Sequence, residues 1–321
     1  MSRAGAIKDC RVHIKDKLKI SLKTINDWAK QDLFVRKDLL ASYLATGKTI
    51  GLACNQVFRA GMNNIGKGLQ IAPQHPFGPA SPFFVHGITK MLVAEAIQVQ
   101  RLEGTEDHAV GDLDGIAHLM LCTLAIGQFA LIEPFHQAVL AGIQNGYGIR
   151  DGHALPIGTT LRYAAFGLTI IGDWLDKPLD LDKHALPRDP AWGQLVAHWR
   201  EPDPDKLMPM LVTACDTHVE RIALTSRELD SGSFEFGSPF EAVYPAEILA
   251  ILNLRRSMGL PNPSIDHPLM KTPYAQLTCP PGMRFEPDEL LMRFLAAACK
   301  YDPDAVPAGL YEAVVQNSAE D

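Results

Sequence analysis

The longest nearly unbroken apolar run in the chain is Ile116 to Ile132, interrupted only by His118, Thr123 and Gln128. A helix that is apolar on every side is a buried one. The run therefore predicts an interior helix that others surround. It is too short and too polar for a comfortable membrane crossing. Asp112 and Asp114 precede it and Glu133 follows, so no Lys/Arg bias marks an inside end.

Helical spacing recurs along most of the chain. Ile14, Leu18, Leu22, Ile25 and Trp28 predict a helix over 12–29, and Val35, Leu39, Tyr43, Ala53 and Val57 one over 33–61, with a kink or break near Gly47 and Gly51. Residues 62–82 are turn-rich and read as a long connection. Ser81 and Pro82 open the next helix, which ends at Gly104. Pro134 is expected to stop or bend the interior helix after Ile132. Further helices follow over 134–145, 155–175, 190–199, 205–229, 240–258 and 288–300, with Pro245 marking a true start inside 240–258. The stretch 260–287 holds seven prolines and cannot be regular. Repeated period-2 alternation is absent, so the fold class is all-α, with about nine or ten helices in one bundle-like domain around 112–175. The polar, proline-punctuated segment 176–190 is a candidate subdomain boundary. It separates a helical half with a basic N-terminus from an acidic C-terminal half.

Charge refines this picture. The formal net charge is −7 at a pI near 5.9, which argues against a general nucleic-acid binder. The charge is uneven: residues 1–50 carry eleven Lys/Arg against five Asp/Glu, and residues 201–321 nine against nineteen. The six cysteines form no C-x-x-C pair, which suits reduced, buried thiols in a cytoplasmic protein. No apolar stretch follows the first residues, so no secretory signal is expected.

Candidate chemistry is sparse. Thr46-Gly47-Lys48-Thr49 lacks the first glycine and the strand of a phosphate-binding loop. A nucleophile elbow and an H-E-x-x-H zinc motif are both missing. Glu133 and His136 form an E-x-x-H pair, the spacing that sets a carboxylate and an imidazole on one helix face. Di-iron bundles need two such pairs plus two more carboxylates. Glu95 is a helix-borne third candidate and His118 a fourth. His118 with Cys122, and Cys215 with His218, would together make a Cys2His2 set, although zinc sites usually draw on closer loops. Asp266-His267 pairs an acid with a histidine in a loop, where turn chemistry competes with a general-base role. Phe234, Glu235 and Phe236 lie in a Gly/Ser-rich stretch read as an exposed loop, where two aromatics flanking a carboxylate either suit an interface or fold back onto the core.

The segment Pro245 to Met270, PAEILAILNLRRSMGLPNPSIDHPLM, resembles bacterial all-helical proteins encoded near toxin and type VI secretion modules, some of them immunity proteins. The resemblance covers about twenty-five residues, and Asp266-His267-Pro268-Leu269 is its most pointed part. It implies a protein that binds another protein, as an immunity or adaptor protein does, with no cofactor of its own. The acidic C-terminal half suits a basic partner such as a toxin. The alternative is a metal-dependent helical enzyme drawing on Glu95, His118, Glu133 and His136.

Overall fold

A computed structural model describes residues 14–75, 78–102, 113–144, 160–279 and 288–316. Among them are fourteen α-helices, short 3-10 turns and no strand; Ile222 and Phe236 form an isolated parallel bridge. The all-α class holds. The count exceeds the expected nine or ten because several expected helices are split.

The longest helices are α3 (Ile50–Ile71) and α4 (Ser81–Leu102), which pack along each other. Residues 62–71, expected as a turn, complete α3. The reason is close packing. A Cβ placed on Gly61 would lie 2.6 Å from the carbonyl oxygen of Gly87, and one on Gly87 would lie 2.8 Å from that of Gly61. The two backbones touch, and only glycine fits on either side. The helix-weakening glycines of α3 thus supply the contact that stabilises it. Ahead of them come α1 (Ile14–Ala29) and α2 (Lys37–Thr46). The break between α2 and α3 falls at Gly47, not Gly51.

The apolar run is interior but is not one helix. Helix α5 (Leu113–Ala125) ends where Gly127 adopts φ 76°. The Gly127 N–H donates to Leu124 O and the Gln128 N–H to Thr123 O, the paired bonds of a Schellman stop. A 3-10 turn, Phe129–Leu131, leads into α6 (Ile132–Gln144). Pro134 breaks nothing. It sits in the first turn of α6, where its missing N–H has no intrahelical partner to lose.

Helix α7 (Arg162–Trp174) lies against α5. Beyond it come α8 (Pro190–His198), α9 (Pro204–Glu220), α10 (Ser226–Asp230), α11 (Pro239–Val243) and α12 (Ala246–Ser257). Pro245 directly precedes α12, close to the expected start. Helix α12 packs along α5, and its Asn253 amide donates to Leu124 O, Ala125 O and Cys279 O, closing the C-terminal carbonyls of α5. Helix α1 lies against α9 and α11. Helices from both sides of 176–190 therefore share one core. The chain continues through α13 (Glu289–Tyr301) to α14 (Leu310–Gln316). Among the described residues no helix is long and apolar enough to cross a membrane.

Candidate functional site

Walls from α1, α3, α4 and α5, with the start of α11, enclose a partly open cavity of about 270 Å³. Its sides are apolar or aromatic, with Trp28, Phe58, Met62, Met91 and Phe240 among them. Trp28 and Phe240 stack at 6.1 Å, and Phe240 meets the His118 ring edge-on at 5.8 Å. The polar groups are His118, Cys122, Ser238, Glu95 and Glu241. Ser238 and Glu241 are held by a capping box. Ser238 N–H donates to Glu241 Oε2 at 2.8 Å, and Glu241 N–H donates to Ser238 Oγ at 3.2 Å.

His118 and Cys122 are one turn apart on α5, and the thiol sulfur lies 3.6 Å from Nδ1 and 3.9 Å from Nε2. Burial lowers the His118 pKa, against the pull of Glu241 and Glu247. Burial also pushes the Cys122 thiol well above its ordinary range. The pair is a neutral imidazole beside a neutral thiol.

A buried polar network lies on the other side of Tyr163. His218 Nδ1 is 2.7 Å from Glu247 Oε1, and Nε2 is 3.3 Å from Ala242 O, so both ring nitrogens face acceptors. Tyr163 OH donates to Glu247 Oε2 at 3.0 Å. Phe236 stacks on the His218 ring at 4.0 Å. Burial works against ionising Glu247, but the His218 charge and the hydrogen bonds of His218 and Tyr163 prevail and lower its pKa. A second knot binds Glu235 to Arg221 at 2.9 Å and to Arg162 at 3.1 Å, while Asp189 takes the other Arg221 nitrogen at 2.7 Å. Burial pushes the Glu235 pKa up to about 7, opposed by Arg221 and Arg162 and reinforced by Asp114 and Asp189. These ion pairs tie α7, α8 and the 221–236 segment together, although Glu235 Oε2 and Arg162 Nε have no hydrogen-bond partner among the described residues.

This packing corrects the expectation of an exposed 234–236 loop. Phe236 is 1% exposed and the Glu235 side chain is fully enclosed. The cause is the bridge to Ile222: Phe236 N–H donates to Arg221 O, and Ala223 N–H to Phe236 O. Phe234 is half-buried beneath the Lys17 ammonium, 4.3 Å from its ring centre, and Lys17 also donates to Glu220 O and Ile222 O. Asp266 is exposed and pairs with Lys271. His267 Nδ1 accepts from Leu269 N–H, and Nε2 lies 3.2 Å from Asp216 of α9, which anchors the loop.

The four metal candidates divide. Glu95 and His118 share the cavity wall. Glu133 lies on α6, exposed and paired with Lys177 at 2.7 Å, and His136 on the same helix is fully buried. Among the described residues no three His, Cys, Asp or Glu side chains stand together as a metal-binding group. The His218 of the considered Cys2His2 set is committed to Glu247.

Among the described residues neither ring nitrogen of His136 has a hydrogen-bond partner, and burial lowers its pKa to about 4. His136→Leu should raise stability by about 1–2 kcal/mol at pH 7, since it removes an unsatisfied buried polar group at similar volume. A histidine with a lowered folded pKa contributes stability above its unfolded value, and loses it as pH falls from about 6.5 toward 4. At pH 5 the wild type should therefore have lost about 2 kcal/mol that the variant keeps. Urea unfolding at the two pH values checks both statements.

One surface is also distinctive. Phe34, between α1 and α2, is 75% exposed, yet its loop is fixed to α3. Leu33 exchanges two hydrogen bonds with the Asn63 amide, Arg36 N–H donates to Gln56 Oε1, and Arg59 reaches Phe34 O. Over 16–67, eight Lys/Arg are exposed against four Asp/Glu. The acidic C-terminal half is far less one-sided at its surface: over 201–316, eight exposed Asp/Glu face six exposed Lys/Arg among the described residues. Glu247 is fully buried and the Glu235 side chain is enclosed.

Comparison of the chain with protein-family models, with curated proteins and with solved structures finds no match.

Proposed function

We propose that this chain is a protein-binding protein, of the immunity or adaptor class, and that its interface is centred on Phe34. The observation that carries this reading is an aromatic ring held out in solvent by a loop that is itself pinned. A large ring on a pre-ordered backbone loses little entropy on binding, and such residues dominate interface energetics. Arg36 and Arg59 flank it through the same pinned loop, so the face that meets it is acidic and carries an apolar pocket for the ring. This reverses the charge expected from the C-terminal half, because the surface there is nearly balanced. Asp27, Asp32 and Asp38 are interspersed among the cations. That mixture suits a folded protein surface better than the continuous phosphate charge of a nucleic acid.

Immobilised wild-type chain should retain a specific acidic protein from a lysate of the source organism. Phe34→Ala should weaken that capture about thirtyfold, equivalent to about 2 kcal/mol. It should change unfolding stability by less than about 0.5 kcal/mol, as surface substitutions do. Equal capture by the variant would remove Phe34 from the interface. Capture abolished by nuclease treatment would assign the surface to nucleic acid instead.

A further inference from the structure

We infer that the cavity between α1, α3, α4, α5 and α11 is a binding site for a small neutral aromatic molecule, about the size of two fused rings, held by apolar contact. The first support is volume. A cavity of about 270 Å³ exceeds the ~150 Å³ apolar cavity that admits benzene. It is partly open, so a ligand can enter. A cavity left empty inside a core costs stability in proportion to its volume. Loose helix packing does not explain this one. The α3 and α4 backbones touch at Gly61 and Gly87, and the residues beside that contact, Phe58, Met62, Ile88 and Met91, line the space.

The second support is the make-up of the wall. Ile65, Ile88, Ile116 and Leu119 form a buried apolar part. Trp28, Phe58, Met62 and Met91 are half-buried and mark where the cavity opens. Trp28 stacks on Phe240 at 6.1 Å, which fixes two flat rings in the wall. Such rings pack well against a further ring, by offset or edge contacts. The thioethers of Met62 and Met91 favour aromatic neighbours too, on side chains that adapt to the outline of a guest.

The third support is that the polar groups of the wall are already engaged. Glu241 Oε2 accepts from Gly237 N–H at 3.1 Å and Ser238 N–H at 2.8 Å, and Ser238 Oγ accepts from Glu241 N–H. The His118 ring lies against the Cys122 sulfur, 3.6 Å from Nδ1, and Glu95 has a partner of its own. A charged ligand would give up its water on entry and find these groups committed elsewhere. An apolar ligand has no such water to replace, and its burial is favourable in itself.

Titration of the full chain at pH 7, followed in the methyl spectrum of carbon-13-labelled methionine, tests the assignment with three probes: naphthalene, 2-naphthoate and 2-naphthylmethylamine. Naphthalene should bind saturably, and its ring current should shift the Met62 and Met91 methyl signals. Met62→Leu and Met91→Leu, swaps that cores tolerate well, identify those two signals. Each charged probe should bind about tenfold more weakly, or less. Leu119→Phe adds volume at the buried part of the wall and should weaken naphthalene binding about tenfold. Circular dichroism establishes that this variant is folded, and the wild-type comparison stands without it. No binding of naphthalene, a charged probe that binds as tightly, or shifts that leave Met62 and Met91 unmoved would overturn the proposal. None of these outcomes bears on the Phe34 surface, which lies outside the cavity wall.

Discussion

Asp114→Ala should destabilise the chain by about 3–5 kcal/mol, because three backbone N–H groups lose their acceptor at once and each buried orphan costs ~1–3 kcal/mol. The carboxylate of this α5 residue caps a different helix. Oδ2 accepts from Thr160 N–H at 2.7 Å, Leu161 N–H at 2.9 Å and the Thr160 hydroxyl at 3.0 Å, and Oδ1 accepts from Ala164 N–H at 2.8 Å. The residue before α7 is Leu161, whose side chain cannot accept, and the only local help is the Thr160 hydroxyl, which accepts from Arg162 N–H at 3.2 Å among the described residues. Leu161 also holds φ at 59°, a left-handed conformation that costs a non-glycine residue about 1–2 kcal/mol. Asp114 is what holds the chain in that turn. Asp114→Asn keeps one acceptor oxygen and should recover part of the loss. Urea unfolding followed by far-ultraviolet circular dichroism measures both. A loss below about 1 kcal/mol for the alanine variant would mean that other groups or water cap α7.

What was legible in the sequence was periodicity, and it was legible where burial is one-sided or complete. The spacing in α1, α4, α7 and α13 marked helices that the structure contains. It failed where a distant contact decided the local outcome. Residues 62–71 carry glycines that read as turn, but Gly61 stands against Gly87, twenty-six positions away, and that contact makes glycine the fitting residue in α3. The break at Gly127 was readable, as a glycine inside an apolar run is a common stop, yet Pro134 drew attention instead. The 230–239 segment looked exposed because of its Gly and Ser content. Its burial follows from the bridge to Ile222, and Lys17 and Arg162, remote in sequence, hold Phe234 and Glu235.

The candidate site was half legible for the same reason. Glu95 and His118 stood out as helix-borne polar residues, and they do share a wall. Their common use as metal ligands was inferred from Glu133 and His136, which lie on a different helix. Ser238 and Glu241 went unnoticed, although S-x-x-E at a helix start is a readable capping signature. The exposure of Phe34 had no local signal. It follows from Asn63, Gln56 and Arg59 fixing a loop twenty to thirty positions earlier.

His218→Leu should cost a comparable amount, about 3–5 kcal/mol, because it strands the Glu247 carboxylate in a fully buried place. Glu247 would keep the Tyr163 hydroxyl and lose its charge partner. Replacing the whole group behaves differently. His218→Leu with Glu247→Met leaves no buried charge but orphans the Tyr163 hydroxyl, so recovery should be partial. Adding Tyr163→Phe removes that orphan and should return stability to within about 1 kcal/mol of wild type, as buried ion pairs replaced by apolar residues often do. The pH profile supplies a second reading. Glu247 has a lowered folded pKa, so its contribution is present above its unfolded value near 4.5 and is lost as pH falls through the folded one. The triple variant should lack this acid-side loss. His136, and Glu235 with its opposite sign, stay in both chains and cancel in the difference. If the triple variant stays as unstable as His218→Leu alone, the network supplies packing that Leu, Met and Phe cannot replace. The damage in the single variant could then not be assigned to stranded charge.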